Sequence, residues 1–469
     1  MKVHWLLIAL ALPYPDRRVS PAHTMDRSRP FLILVLLGCL FRLGYGAVRY
    51  RNQLFTSSGT CFISRWDYDA LEHVLIAKAL LSGKGYVVDD SPLPEKRHIR
   101  YVGQPALFKA PLYEFFLAGS FAISGFSFRL FFPLQALLGG LLSGLTGLIA
   151  LKVFGKPAIA WFAGLAAAIC PLLVNSASQP YSENLFSFLF VISIWTFLVW
   201  SETQRIRWAI FCGVMVGLCV LTRENGVLLL AAMGAMLLIT KPDLKTWRGY
   251  IAIAGLSIAV VAPWTLANYA RFGIIVPVAS IVGMDLAEGN NECIASEGVF
   301  VPYWAEGRCP PLDVRRRLLL STQAQVSLIP RAVRDDRVSR EIAIGFITAH
   351  PGAYAKLMFR RFWTTLLPFD PRGEQRWHER TVLLLYWLLV FPAGIIGAVA
   401  SMKPKTEPKR ALLGLVIVLN LFSIVAVLYW SDLRFRIGID LLLACFAGWA
   451  YDQFCCSRSA KGKPQPAID

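Results

Sequence analysis

The sequence predicts an all-α polytopic membrane protein, on three observations: recurring apolar runs, a small share of charge, and basic loops that gather on one face. Of 469 residues, 56% are hydrophobic and only 17% are charged, and the mean hydropathy is +0.52. A soluble protein of this size needs more polar surface to cover its core. Apolar runs at residues 31–49, 130–152, 157–175, 180–200, 208–222, 226–240, 249–266, 381–401, 411–430 and 437–453 reach or approach the ~20 residues that cross a bilayer as helix. About ten spans are expected (range about 9–13).

Ten spans put both termini on one side, and loop charge chooses it. Arg27 and Arg29, Lys152 and Lys156, Arg205 and Arg207, Lys241, Lys245 and Arg248, Lys403, Lys405, Lys409 and Arg410, and Lys461 and Lys463 then share a face. Excess Lys and Arg in short loops marks the cytoplasmic side. The net charge of +18 has that explanation. No nucleic-acid-binding motif accompanies it.

The elements follow in order. Residues 1–30 form an N-terminal extension: Trp5 to Pro13 is a short apolar run without a convincing signal-peptide cleavage site, and Met25 is an alternative start. The membrane core covers 31–266 and includes a first outer loop, 50–129. In that loop Asp69 to Ser82 carries Leu71, Leu75, Ala79 and Leu81 and stops at Gly83 and Gly85, the pattern of a helix lying along the membrane surface. Pro111 to Phe128 is apolar but interrupted by Gly119 and Gly125. It is assigned as a second interfacial helix, because an extra span here would invert every later loop. Spans five and six are short, and Thr222-Arg223-Glu224-Asn225-Gly226 separates them. Two helices and a polar turn put Arg223 at the outer face; one kinked helix would leave it at mid-membrane, where charge is costly. Residues 267–380 form a small α or α+β extracytoplasmic domain, helical over Arg340 to Leu367 with Pro351 opening a new turn. Residues 381–453 hold the C-terminal spans and 454–469 a cytoplasmic tail. Cys39, Cys170, Cys212, Cys219 and Cys445 lie in apolar runs and pack there, whereas Cys293 and Cys309 can form a disulfide if their segment is exported.

This topology collects Asp67, Asp69, His73, Lys109, Glu183, Arg223, Asp432, Arg434 and Arg436 at the outer face. Carboxylates there can deprotonate a nucleophile or hold a metal, and cations can stabilise a departing phosphate. Taken singly, each has a plainer reading. The aspartates can be solvated loop residues, Glu183 a helix N-terminal charge, Lys109 and Arg436 snorkelling anchors, and His73 a structural histidine. Shared placement at one face is what raises them.

In this order and spacing the chain resembles the C-type polytopic membrane glycosyltransferases, in particular bacterial relatives of lipid A aminoarabinose transferases and protein O-mannosyltransferases. Asp69, Ile76-Ala77, Gly83-Lys84-Gly85-Tyr86 and Lys109-Ala110-Pro111-Leu112-Tyr113 carry the resemblance best. Ser182-Glu183, Leu221-Thr222-Arg223, Pro263-Trp264 with Asn268, Gly289-Asn290-Asn291 and Arg434-Phe435-Arg436 extend it. The resemblance implies inverting transfer of a sugar from a polyprenyl-phosphate donor to a hydroxyl of an envelope acceptor (lipopolysaccharide, lipid, polymer or protein). The reaction would run at the outer face of the inner membrane. Asp69 would be the catalytic base, with Asp67 and Glu183 beside it. Lys109, Arg223, Arg434 and Arg436 would hold the donor phosphate, and His73, Tyr113, Asn290 and Asn291 the substrates. Members of the superfamily differ on a metal, so a divalent ion held by Asp69 and Glu183 stays open. The chain departs from the aminoarabinose transferases where Ala70 replaces the second acid of an Asp-Glu pair, and where Phe108 replaces the acid before the lysine. A transporter or flippase of a lipid-linked or anionic substrate, and a non-enzymatic scaffold, are the alternatives. Transporters bind near mid-membrane, often within repeated halves, and no repeat is evident here.

Overall fold

The computed structural model describes residues 21–50, 68–90, 99, 101–125, 127–297, 329–369, 376–402, 407–427 and 433–461. Among these, helices account for almost all regular structure, and strand pairing is limited to isolated bridges at Val87–Pro105 and Val88–Val102. The helices are α1 (Pro21–Tyr50), α2 (Tyr68–Leu81), α3 (Pro111–Ser124), α4 (Phe128–Phe154), α5 (Pro157–Ile169), α6 (Pro171–Ser176) and α7 (Glu183–Thr203). They continue with α8 (Ile206–Thr222), α9 (Leu228–Thr240), α10 (Leu244–Phe272), α11 (Val282–Gly289) and α12 (Glu292–Glu297). The last are α13 (Arg331–Ala349), α14 (Pro351–Leu366), α15 (Trp377–Ser401), α16 (Pro408–Val427) and α17 (Ile437–Lys461). The ten predicted spans fall on α1, α4, α5 with α6, α7, α8, α9, α10, α15, α16 and α17. Among the described residues six helices are long and apolar enough to cross a membrane, and three shorter apolar ones include α5 and α8.

Lipid supplies no hydrophobic drive between spans, so close backbone packing must hold them. Helix α4 supplies it with Gly139, Gly140, Gly144 and Gly147, against which α1 and α5 pack. A Cβ on Gly140 would lie 2.5 Å from the Val35 carbonyl oxygen, a contact only glycine permits. Helix α15 packs along α17 and α8 along α10, which completes the bundle.

The turn between α8 and α9 forms as predicted. Helix α8 ends at Thr222, a 3-10 turn covers Glu224–Val227, and α9 follows. The first outer loop also holds its two helices, with Gly125 ending α3 at φ +68°. Helix α2, expected to lie along the membrane surface, packs into the protein: Ala70, Leu71, Val74, Leu75, Ile76, Ala77 and Ala79 are all buried. Val74, Ile76 and Ala77 give it apolar faces to bury, while its one polar face, Asp69, Glu72 and His73, turns to other charged side chains. The predicted break before Pro351 is present between α13 and α14.

The bundle has two chemically distinct ends. At one, Glu202 near the end of α7 pairs with Lys152 of α4 and Lys409 of α16, and Lys156 pairs with Asp452 of α17 at 2.6 Å. These are the basic loops predicted to share a face. At the other end Glu183 opens α7, about 28 Å away at the helical rise per residue. There α14 is tied to the bundle by Arg361, which donates to the Val425 carbonyl (3.1 Å), the Asn290 side chain (3.0 Å) and the Gly289 carbonyl. Cys293 is disulfide-bonded, and its predicted partner Cys309 lies outside the described residues.

Candidate active site

The first turn of α2 presents Asp69, Glu72 and His73, at i, i+3 and i+4, on one helix face. Lys109 faces them from the residue before the Ala110 cap of α3, where Pro111 fixes the helix start. Its ammonium pairs with Asp69 and lies 3.1 Å from Glu72 Oε2. The glycine motif holds this lysine from behind. Gly83 and Gly85 turn the chain at φ +73° and +83°. Lys84 clasps Asp89 at 2.8 Å and Asp90 at 2.6 Å. Tyr86 then donates its hydroxyl to the Lys109 carbonyl at 3.0 Å.

Two further segments arrive from distant sequence. Arg223, between α8 and the 3-10 turn, pairs with Glu183 Oε1 at 2.8 Å and reaches the Ser182 hydroxyl at 3.4 Å. Arg434, in the 3-10 turn Leu433–Arg436, lies 3.4 Å from Asp69 Oδ2 and 3.7 Å from Glu183 Oε1. The Tyr181 ring backs its guanidinium at 4.5 Å, and Phe435 backs Arg223 at 5.4 Å. Glu183 is only 4% exposed, yet its Oε2 has no hydrogen-bond partner among the described residues. Asp69 has a side chain 36% exposed. The site therefore offers one reachable carboxylate and one buried carboxylate with a spare acceptor atom.

Beneath Asp69 lies a buried polar floor. His73 Nδ1 donates to Glu114 at 2.8 Å, and its Nε2 stands 4.0 Å from Asp69 Oδ1. Tyr113 packs edge-on against His73 at 4.9 Å and receives a hydrogen bond from Gln135 Nε2 at 3.4 Å. Asn184 donates to Gln135 at 2.7 Å. Burial alone would raise the Asp69 carboxyl, but Lys109, His73 and Arg434 outweigh it and hold the group well below the usual carboxylate range. Burial does raise Glu224, beside Arg223.

The structure thus brings together Asp69, His73, Lys109, Glu183, Arg223 and Arg434. Asp67 and Asp432 lie outside the described residues. Arg436 is not part of the cluster. It is buried, pairs with Asp440 at 2.9 Å, and donates to the carbonyls of Thr365 (2.8 Å) and Leu367 (2.6 Å). Asn290 and Asn291 are fully buried. Asn291 accepts from the amides of Cys293 (3.0 Å) and Ile294 (3.1 Å), and Asn290 from Arg361. Both bond at the α11–α12 junction. Tyr113 is likewise fully buried and supports His73. Glu72, Glu114 and Tyr181 escaped the sequence reading. The i, i+3 spacing from Asp69 was a signal for Glu72; Glu114 and Tyr181 offered none beyond adjacency to the Lys109 and Glu183 motifs. Among the described residues no group of three or more His, Cys, Asp or Glu side chains is arranged to hold a metal ion.

Residues 108–266 match the family described as Dolichyl-phosphate-mannose-protein mannosyltransferase. That stretch contains Lys109, Glu183 and Arg223 but neither Asp69 nor Arg434. No curated protein matches the sequence. Among solved structures, the Archaeoglobus fulgidus oligosaccharyltransferase tethered to an acceptor peptide matches at TM-score 0.53 and 14% identity, over 92% of this chain and 51% of that one. The chain spans about half the length of that protein, and the likeness is one of fold. ArnT from Cupriavidus metallidurans in the apo state matches at TM-score 0.37 and 16% identity, over 85% of this chain and 76% of that one. Its form bound to undecaprenyl phosphate matches at TM-score 0.36 and 15% identity, over 85% and 77%. Residues 108–266 are thus similar to that mannosyltransferase family, and the fold of the chain is similar to that of the membrane oligosaccharyltransferase.

Proposed function

We propose that this protein is an inverting glycosyltransferase. It moves a sugar from a polyprenyl-phosphate donor to a hydroxyl of a cell-envelope acceptor, at the membrane face opposite the Glu202 cluster. The observation that carries this reading is the convergence of Lys109, Arg223 and Arg434 on Asp69 and Glu183. A base must be reachable and ionised, and Asp69 is both. The acceptor oxygen attacks the anomeric carbon as its proton passes to Asp69. The bond from that carbon to the phosphate oxygen breaks on the opposite side, which inverts configuration. Lys109, Arg223 and Arg434 stand ready to offset the charge that develops on the leaving phosphate. Glu183, buried against Arg223, fixes the direction of that guanidinium. The basic loops at the Glu202 end support a cytoplasmic position for that end, and hence an outward-facing site.

The test offers purified protein a panel of polyprenyl-phosphate sugars with an envelope extract and compares it with Asp69→Asn. Loss of a positioned base is expected to cost about 100- to 10,000-fold in turnover, with the helical content unchanged. Equal activity in both would remove Asp69 as the base.

A further inference from the structure

The superfamily resemblance leaves open a divalent ion between Asp69 and Glu183, and the arrangement of side chains speaks against it. Such an ion takes about six oxygen ligands, and the carboxylates that hold it must have oxygens free of other cations. Here the two carboxylates already share a cation: Arg434 Nη1 lies 3.4 Å from Asp69 Oδ2 and 3.7 Å from Glu183 Oε1. Lys109 occupies the other Asp69 oxygen, and Arg223 lies 2.8 Å from Glu183 Oε1. A divalent ion placed between them would meet three positive groups at close range. Phe108, next to Lys109, is buried and apolar and offers no ligand, and His73 commits its Nδ1 to Glu114.

Arg434 is also held in place rather than free to swing aside. The Tyr181 ring backs it at 4.5 Å. Two residues on, Arg436 fastens the same turn to the Thr365 and Leu367 carbonyls. We propose that the Arg434 guanidinium takes the place a divalent metal would hold between Asp69 and Glu183, so that a protein cation bridges the two carboxylates and sugar transfer needs no metal. The statement about transfer rests on the proposed function; the statement about the bridge does not.

The test uses manganese alone and so reads the bridge independently of sugar transfer. Purified full-length protein is titrated with Mn2+, free ion being followed by its electron paramagnetic resonance signal. The native protein is expected to show no site tighter than about 1 mM, a weak limit for oxygen-ligand cation sites. Removing the bridging charge in Arg434→Gln is expected to create one site at least about tenfold tighter, lost again in Arg434→Gln with Glu183→Gln. A native protein that binds one Mn2+ tightly, with binding abolished by Glu183→Gln, overturns the proposal. So does a folded Arg434→Gln that binds none. If that variant does not fold, the melting temperature of the native protein decides. No rise with millimolar Mn2+ is expected, whereas a rise that disappears in Glu183→Gln overturns the proposal. Failure to find any sugar transfer leaves these readings unaffected.

Discussion

Replacing Lys109 by methionine tests the electrostatic core of the site at two levels. The side chain is 8% exposed and lies 3.1 Å from Glu72 Oε2, itself 1% exposed. At that separation an effective dielectric of ~20 gives an attraction of about 5 kcal/mol. Methionine fills much the same volume but leaves Glu72 buried beside an uncharged neighbour. Breaking a buried pair in this way costs about 3–5 kcal/mol, and a loss of about 3 kcal/mol or more is expected in denaturant and thermal unfolding in detergent. The second level is pH. Lys109 is the foremost of the charges that hold Asp69 below its ordinary range, so Lys109→Met raises the Asp69 pKa. In the native protein the stability due to ionised Asp69 is present above the unfolded value of ~3.9 and is lost as pH falls through the lower folded value. In Lys109→Met that loss, and the acid limb of transfer activity, move to higher pH. Lys109→Arg, which keeps the charge, is expected to stay near the native profile in both measurements. A Lys109→Met protein with native stability and an unmoved acid limb would refute the account of how Asp69 is kept ionised.

Three further outcomes separate packing from chemistry. Asn291→Ala removes the acceptor of the Cys293 and Ile294 amides; a cap loss of about 1 kcal/mol is expected, with donor and acceptor KM unchanged. Arg436→Gln breaks a buried pair with Asp440 and is expected to destabilise by about 3 kcal/mol or more, while the donor KM of the folded fraction stays native. Gly140→Val would press its Cβ towards the Val35 carbonyl at 2.5 Å, and a loss of about 1–3 kcal/mol is expected in unfolding assays, with the KM values unchanged.

The spans were legible because a bilayer demands a long apolar run and leaves that demand in the sequence. Even the break at Arg223 could be read, since a mid-membrane arginine and glutamate are costly enough to force a turn there. Asp69, Lys109, Glu183 and Arg223 could be placed together by topology, which sorts residues by face. What topology does not encode is direction. Arg434 and Arg436 sit two apart in one 3-10 turn, and about 120° per residue sends one to the carboxylates and the other to the backbone of α14. No pattern in Arg-Phe-Arg distinguishes them. The surroundings of Asn290 and Asn291 were illegible for a related reason: a short amide serves a helix junction as readily as a sugar, and the sequence does not show its burial. How far α2 is buried could not be read, because an apolar helix beside a membrane and one inside a protein share a composition.

The Arg361 tie has a mechanical consequence. One guanidinium grips the Val425 carbonyl at the end of α16, and the Gly289 carbonyl and Asn290 side chain at the end of α11. Burial lowers its pKa to about 10, which still leaves it charged at neutral pH. A spanning helix tilts to match the thickness of its bilayer, and a rigid three-way fastening at its end transmits that tilt. A bilayer thick or thin enough to tilt α16 therefore pulls on α11 and α14 through this one side chain.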